Sequence, residues 1–145
     1  MTLATRLFVL TSVLLAACSG MPSRPEPEDV VRNKFAAVNR HDLQAVTQSY
    51  APDARLMASD FCAPRIGRQE VERTYRALFA SIEDLSVQLD EVRPDGNRIM
   101  VRFRVLGAVG GRRFEVPIAN FFEVRDGLIV YDLGVFDNGG RACRQ

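Results

Sequence analysis

The chain has 145 residues, 47% of them hydrophobic, with 19 basic and 18 acidic side chains and one histidine. So even a balance leaves no footprint for nucleic acid, which needs a clearly basic surface. Beyond its N-terminal segments the length suits one small domain with a single core, and no internal repeat is evident.

At the N-terminus Arg6 precedes an apolar run, residues 7–17, interrupted only by Thr11 and Ser12. This is the core of a signal peptide. It is too short to cross the roughly 30 Å hydrocarbon layer, which takes about 20 apolar residues. Leu15, Ala16, Ala17 and Cys18 resemble the bacterial lipobox. The resemblance implies that residues 1–17 are removed and that Cys18 carries a diacylglycerol and fatty-acyl (palmitate-type) anchor. Ser19, where an aspartate would signal inner-membrane retention, points to the outer membrane, facing the periplasm. Residues 18–27 hold three prolines and no apolar periodicity, which predicts an extended tether. The domain then runs over residues 28–145.

Pro27, Glu28 and Asp29 make a helix start, and Val31, Phe35 and Val38 share one face of a helix ending near Arg40. Asp42 caps a second short helix in which Leu43, Val46 and Tyr50 recur, closed by Pro52. Residues 55–61 read as a strand. Gly67 opens a third helix with Val71, Tyr75, Leu78 and Ile82 on its buried stripe. The period then changes to two. Residues 87–92, a turn at Pro94 to Asn97, and Ile99, Val101, Phe103 and Val105 describe a hairpin with one polar face. A second pair, residues 112–124 and 128–137, is joined at Asp126-Gly127. This order predicts an α+β fold, a curved antiparallel sheet wrapped around about three N-terminal helices.

Phe35-Ala36-Ala37-Val38-Asn39, Asp42-Leu43, Tyr50-Ala51-Pro52-Asp53-Ala54, Gly67, Val116-Pro117-Ile118 with Phe121, and Asp126-Gly127-Leu128-Ile129 occur in an order and spacing that carry a family resemblance. From about Asp29 to Phe136 the chain resembles the SnoaL-like and ketosteroid isomerase-like branch of the nuclear transport factor two superfamily. The resemblance implies a cone, a cystatin-like roll, enclosing a deep apolar pocket. It implies lining residues at Lys34, Phe35, Val38, Tyr50, Ala58, Phe103, Ala119, Asn120 and Phe136. The superfamily hosts isomerases, cyclases, hydrolases, dehydratases and pure binding modules, so function has to come from the site. The positions matching the steroid isomerases' tyrosine, second aspartate and proton-moving aspartate fall on Lys34, Ala119 and Ala58. Alanine neither shuttles a proton nor donates a hydrogen bond, which excludes steroid isomerase chemistry.

Polar residues on apolar faces are the candidates for chemistry, because a buried polar group is costly unless satisfied or used. Asp60 follows Leu56 and Ala58. Asn120 interrupts Phe114, Val116, Ile118 and Phe122. Asp132 interrupts Leu128, Val130 and Phe136. Apolar walls would raise the pKa of Asp132 or Asp60 and make it a general acid or base; the alternative is a structural partner among the many arginines. Lys34 is the only lysine, beside the buried stripe of the first helix, and reads either as a pocket cation paired with Asp60 or Asp132 or as a snorkelling surface residue. His41 has no second histidine or acidic cluster nearby, so no metal site is expected, and no cofactor motif stands out. Arg93, Arg98, Arg102, Arg104, Arg112 and Arg113 fall on the middle hairpins, either as a solvated face or as a dock for an acidic partner or lipid headgroups.

With Cys18 lipidated, Cys62 and Cys143 are an even remainder in an oxidising compartment, which suggests a disulfide. The resembled fold implies that the last strand lies beside the first, bringing their ends together. Three functions fit: a tethered module binding a small apolar ligand, a pocket enzyme moving a proton (isomerase, cyclase or dehydratase type) through Asp132 or Asp60, and an assembly module whose sheet docks on a second copy, as a homodimer, or on envelope machinery. The blank isomerase positions and the lack of a complete acid and base pair favour binding.

Overall fold

The computed structural model describes residues 24–141 and residue 143. The signal peptide, Cys18 and the tether up to residue 23 lie outside the described residues. The elements are α1 (Pro27–Asn39), α2 (Leu43–Gln48), β1 (Tyr50–Ala58), β2 (Arg65–Ile66), α3 (Arg68–Ser81), β3 (Glu83–Asp95), β4 (Arg98–Val109), β5 (Arg112–Arg125) and β6 (Leu128–Val135). One six-stranded curved sheet, in the order β2-β1-β6-β5-β4-β3, wraps the helices, an α+β cone. β1 and β6 run parallel, so the sheet is mixed rather than antiparallel throughout. Between them the chain passes through β2, α3 and the meander, and β6 returns in the direction of β1.

Each helix starts where its chemistry dictates. α1 carries Pro27 at its first position with Glu28 and Asp29 in the first turn, where acids meet the positive end of the helix dipole. The Asp42 carboxylate accepts the Ala45 N–H at 2.9 Å and caps α2. α3 begins after Gly67, whose φ of 97° favours glycine. The inward residues Val31, Phe35, Val38, Val46 and Val71 pack with Phe103, Phe122 and Ile129 from the sheet. The Phe35 ring lies 4.8 Å from Phe103 and 5.8 Å from Phe122. Burying side chains of this size contributes about 1.5–3 kcal/mol each.

Tyr50 and Pro52 depart from expectation: both belong to β1 and not to the second helix. The helical spacing of Leu43, Val46 and Tyr50 is real, but Ser49 ends the helix, and its carbonyl accepts the Ile129 N–H at 2.8 Å as Tyr50 enters the sheet. Pro52 is tolerated because the β1–β6 register breaks between Tyr50 and Arg55, so no ladder bond depends on the missing N–H. Pro117 is harmless for a similar reason. β6 pairs with β5 only from Ala119 onward, and the β4–β5 register runs unshifted past the proline.

At the other edge, the Asn39 side chain holds β3 in both senses. Its Nδ2 donates to the Val87 carbonyl at 2.9 Å, and its Oδ1 accepts the Val87 N–H at 2.6 Å. Beyond β1 and β6, Cys62 and Cys143 are joined in a disulfide with alpha carbons 4.8 Å apart, 81 positions apart in sequence.

Candidate functional site

Five elements send a polar side chain into the interior. Lys34 comes from α1, Tyr50 from the first position of β1, Tyr75 from α3, Asn120 from β5 and Asp132 from β6. Exposure is 0% for Tyr50, 1% for Asp132, 3% for Lys34 and 6% for Asn120, although most of these residue types are normally found in water.

Asp132 is the hub. Its Oδ2 accepts the Tyr50 hydroxyl at 2.5 Å, and its Oδ1 accepts the Asn120 amide Nδ2 at 2.5 Å. Tyr75 stands behind Tyr50, hydroxyl to hydroxyl at 3.4 Å. Burial pushes the Asp132 carboxyl above its ordinary pKa, and the Lys34 charge and the two donated hydrogen bonds pull it partly back. Burial, then the negative charge of Asp132, hold the Tyr50 hydroxyl well above its ordinary value, so Tyr50 stays protonated and acts as a donor. Gly134 makes room for this arrangement. It pairs with Asn120 across the β5–β6 ladder, and a Cβ there would sit 3.0 Å from the Asn120 Oδ1.

The Lys34 ammonium lies 4.0 Å from the Phe35 ring centroid, 5.1 Å from Phe122 and 5.2 Å from Tyr75, a cation enclosed by aromatic faces. Its charge is felt by Asp132, but among the described residues Lys34 makes no hydrogen bond and no ion pair. Every fully buried side-chain nitrogen and oxygen among the described residues has a partner. The unpartnered ammonium therefore borders space that a water molecule can reach.

Several expected lining residues stand elsewhere. Ala119 alternates to the face opposite Asn120, paired with Arg102 and Val135. Phe136 lies just past the end of β6, half-buried, its N–H donated to the Ser59 hydroxyl. Phe35, Val38 and Phe103 are packed core, and Ala58 is half-buried at the end of β1. Asp60, read as a strand residue, follows β1 in a turn; it is 8% exposed and is not part of the hydrogen-bonded set around Asp132. The inward residues of β6 are Ile129, Asp132 and Gly134, not an unbroken alternation through Leu128 and Val130, because the register shifts between Glu123 and Val124. Tyr50 as the partner of Asp132, Tyr75 and Gly134 were missed as site residues; a glycine inside an apolar strand is the signal that marks the last.

The remaining candidates have structural places. The His41 Nε2 meets the Leu85 carbonyl at 2.8 Å, and its ring stacks on Phe79. No group of side chains among the described residues is arranged to hold a metal ion. Arg104 pairs with Asp90 and Glu115 at 3.0 and 3.1 Å, and Arg102 with Glu91 at 3.5 Å. That part of the arginine face is thus satisfied by its own neighbours, in exposed pairs worth little to stability.

The model for the SnoaL-like domain matches residues 31–131, most of the chain. The chain belongs to the SnoaL-like family. No curated protein matches it. Among solved structures, this SnoaL-like domain is similar to a protein of unknown function with the nuclear transport factor 2-like fold from Burkholderia pseudomallei, at 24% identity over 78% of this chain and 92% of that one, with a TM-score of 0.72. It is also similar to IdmH, a proposed polyketide cyclase from Streptomyces antibioticus, at 24% identity over 79% and 94%, TM-score 0.71. An LEH-like epoxide hydrolase from M. tuberculosis matches at 19% identity over 77% and 82%, TM-score 0.68. At these identities the SnoaL-like fold is what is shared.

Proposed function

We propose that this protein is an envelope lipoprotein whose SnoaL-like domain binds a small, mainly apolar molecule and does not turn it over. The observation that carries the reading is the polar set of Lys34, Tyr50, Asn120 and Asp132 inside an aromatic shell, with the lysine ammonium bordering reachable space. A few convergent polar groups within apolar walls are the usual makeup of a small-molecule site. Both oxygens of Asp132, whose carboxyl burial pushes above its ordinary pKa, are engaged by protein donors, which suits an orienting group better than a free base. No helix among the described residues is long and apolar enough to cross a membrane, so membrane attachment in this proposal rests on Cys18.

Mass spectrometry of protein purified gently in detergent should find a small molecule released on denaturation from wild type and depleted in a Lys34→Met variant. Protein that is empty under every mild condition would count against the reading. Metabolic labelling with a fatty-acid analogue should mark wild type and leave Cys18→Ala unlabelled; equal labelling of both would remove the anchor.

A second reading is favoured by the raised pKa of Asp132 and by the epoxide hydrolase and the proposed cyclase among the similar structures. Here Asp132 moves a proton on the bound molecule. Deuterium from D2O would then enter a bound carbonyl compound with wild type and not with Asp132→Asn; no exchange with wild type ends this reading.

A further inference from the structure

We propose that the outer face of the sheet lies on the phospholipid surface that holds the anchor, with an apolar row dipping among the lipids and arginines beside it meeting their phosphates. The inference rests on the lipoprotein reading above and adds to it the surface that faces the membrane. Strand register builds the row. Met100 pairs with Phe121, Phe121 with Leu133 and Leu133 with Met57, so outward apolar side chains cross β4, β5, β6 and β1 in one line. Phe121 is 47% exposed, as is Val135, two residues beyond Leu133 on the same face. The adjoining rows carry charge: Arg98 and Arg55 on one side, aligned through Glu123 and Tyr131, and Arg102 on the other. Arg93, Arg98, Met100, Phe121 and Tyr131 border a groove of about 510 Å³ on this face. Among the described residues the guanidinium groups of Arg98 and Arg55 have no partner, and a guanidinium matches the oxygens of a phosphate. Asp90, Glu91, Glu115 and Glu123 already hold arginines, which blunts their repulsion of phosphate and leaves Asp95 against the two free arginines.

The chain enters the domain beside this face. Arg24 pairs with Asp126 in the β5–β6 turn, and a Cβ on Gly127 would meet the Pro25 ring at 3.3 Å. The β3–β4 turn lies alongside, its Asn97 carbonyl accepting the Val124 N–H at 2.8 Å. The chain from Cys18 to Arg24 spans at most about 22 Å, and Phe121 lies about 17 Å from Asp126 at the rise of a strand. The anchor therefore keeps the apolar row within reach of the headgroups, whereas Val109, at the far end of β4, is about 36 Å from Arg98. Held at that effective concentration, a row of this size needs little affinity of its own. A second copy laid on this face would bring the same engaged acids and leave Arg98 and Arg55 without partners, which favours the lipid surface.

The chain has no tryptophan, so Phe121→Trp and Val109→Trp, both at exposed positions, each report on one place. The full-length protein is reconstituted in vesicles of phosphatidylethanolamine and phosphatidylglycerol, with and without brominated acyl chains. Bromine should quench Phe121→Trp about twofold, as for a side chain set about 5–10 Å into the boundary of headgroups and acyl chains, and leave Val109→Trp unquenched. Adding Arg98→Glu to Phe121→Trp should reverse most of the quenching while circular dichroism shows the fold intact. A Phe121→Trp protein that carries lipid on Cys18 yet stays unquenched would overturn the inference and leave the lipoprotein reading standing. Quenching that a folded Arg98→Glu protein keeps in full would overturn the phosphate contact. Shielding of Phe121→Trp from acrylamide that fades as the protein is diluted within the vesicles, with no quenching by bromine, would give the face to a second copy instead. An intact mass without lipid on Cys18 would sink the lipoprotein reading itself, and the inference with it.

Discussion

Reduction of the Cys62–Cys143 disulfide should lower the stability of the domain by up to about 4.5 kcal/mol, the chain-entropy value for a loop of this length. The bond spans 81 positions and so ties the region after β1 to the region after β6, enclosing most of the domain. Loss on that scale is a large fraction of the roughly 5–15 kcal/mol that holds a typical domain together. The check is urea unfolding of the wild type with and without reductant, alongside a Cys62→Ala/Cys143→Ala variant. The reduced protein and the double variant should unfold at the same lower midpoint, and the variant should ignore the reductant. A midpoint unmoved by reduction would show that the ends of β1 and β6 are held without the bond.

The second large effect is expected at the buried charges. Removing one of two buried charges that compensate each other leaves the survivor uncompensated; the cost is about 3–5 kcal/mol for a hydrogen-bonded pair and smaller for Lys34 and Asp132, which feel each other's charge without a hydrogen bond. Lys34→Met removes the positive charge whose field reaches Asp132. Lys34→Met with Asp132→Asn removes both charges. The double variant should be more stable than the sum of the single losses by about 1–3 kcal/mol, and additivity within about 0.5 kcal/mol would show that the two do not act as a pair. The dependence on pH gives a separate reading. The pKa of Asp132 is raised in the folded protein from an ordinary value of 3.8, so between the two values the folded state holds the proton more often. Its contribution is therefore complete below about pH 3.8 and declines as pH rises through the folded value, by at most about 1.4 kcal/mol per pH unit. Asp132→Asn should lack that decline. Glu123, whose pKa is lowered by the hydrogen bond from Arg125, works in the opposite sense but is common to both proteins, so it cancels in their difference.

Local chemistry accounts for what was legible in the sequence. Pro27 with its acids, the Asp42 cap, Gly67 and the Asp126-Gly127 turn each act within a few residues, and each marks an element boundary in the structure. The inward face of β5 was legible through Asn120 because alternation there is unbroken. What escaped depends on partners far along the chain. Tyr50 leaves its helical spacing because β6 arrives beside it, and the faces of β6 are reset by a register shift opposite Glu123 and Val124. The proximity of Lys34 and Asp132 was readable only as one of two options. Nothing local to α1 says which carboxylate the returning sheet will bring near it, and the answer was a charge felt across a gap and not an ion pair.

The grip of Asn39 on Val87 bears on how such a domain behaves in company. β3 is a long outer strand, and a row of unpaired backbone groups on such a strand is a template for another molecule's strand. Here the row is broken at several points. A helix side chain already occupies both backbone groups of Val87, the pairing with β4 is irregular between Leu89 and Glu91, and Pro94 offers no N–H near the far end. Along β3, a neighbouring strand therefore meets no continuous row of free backbone groups to pair with.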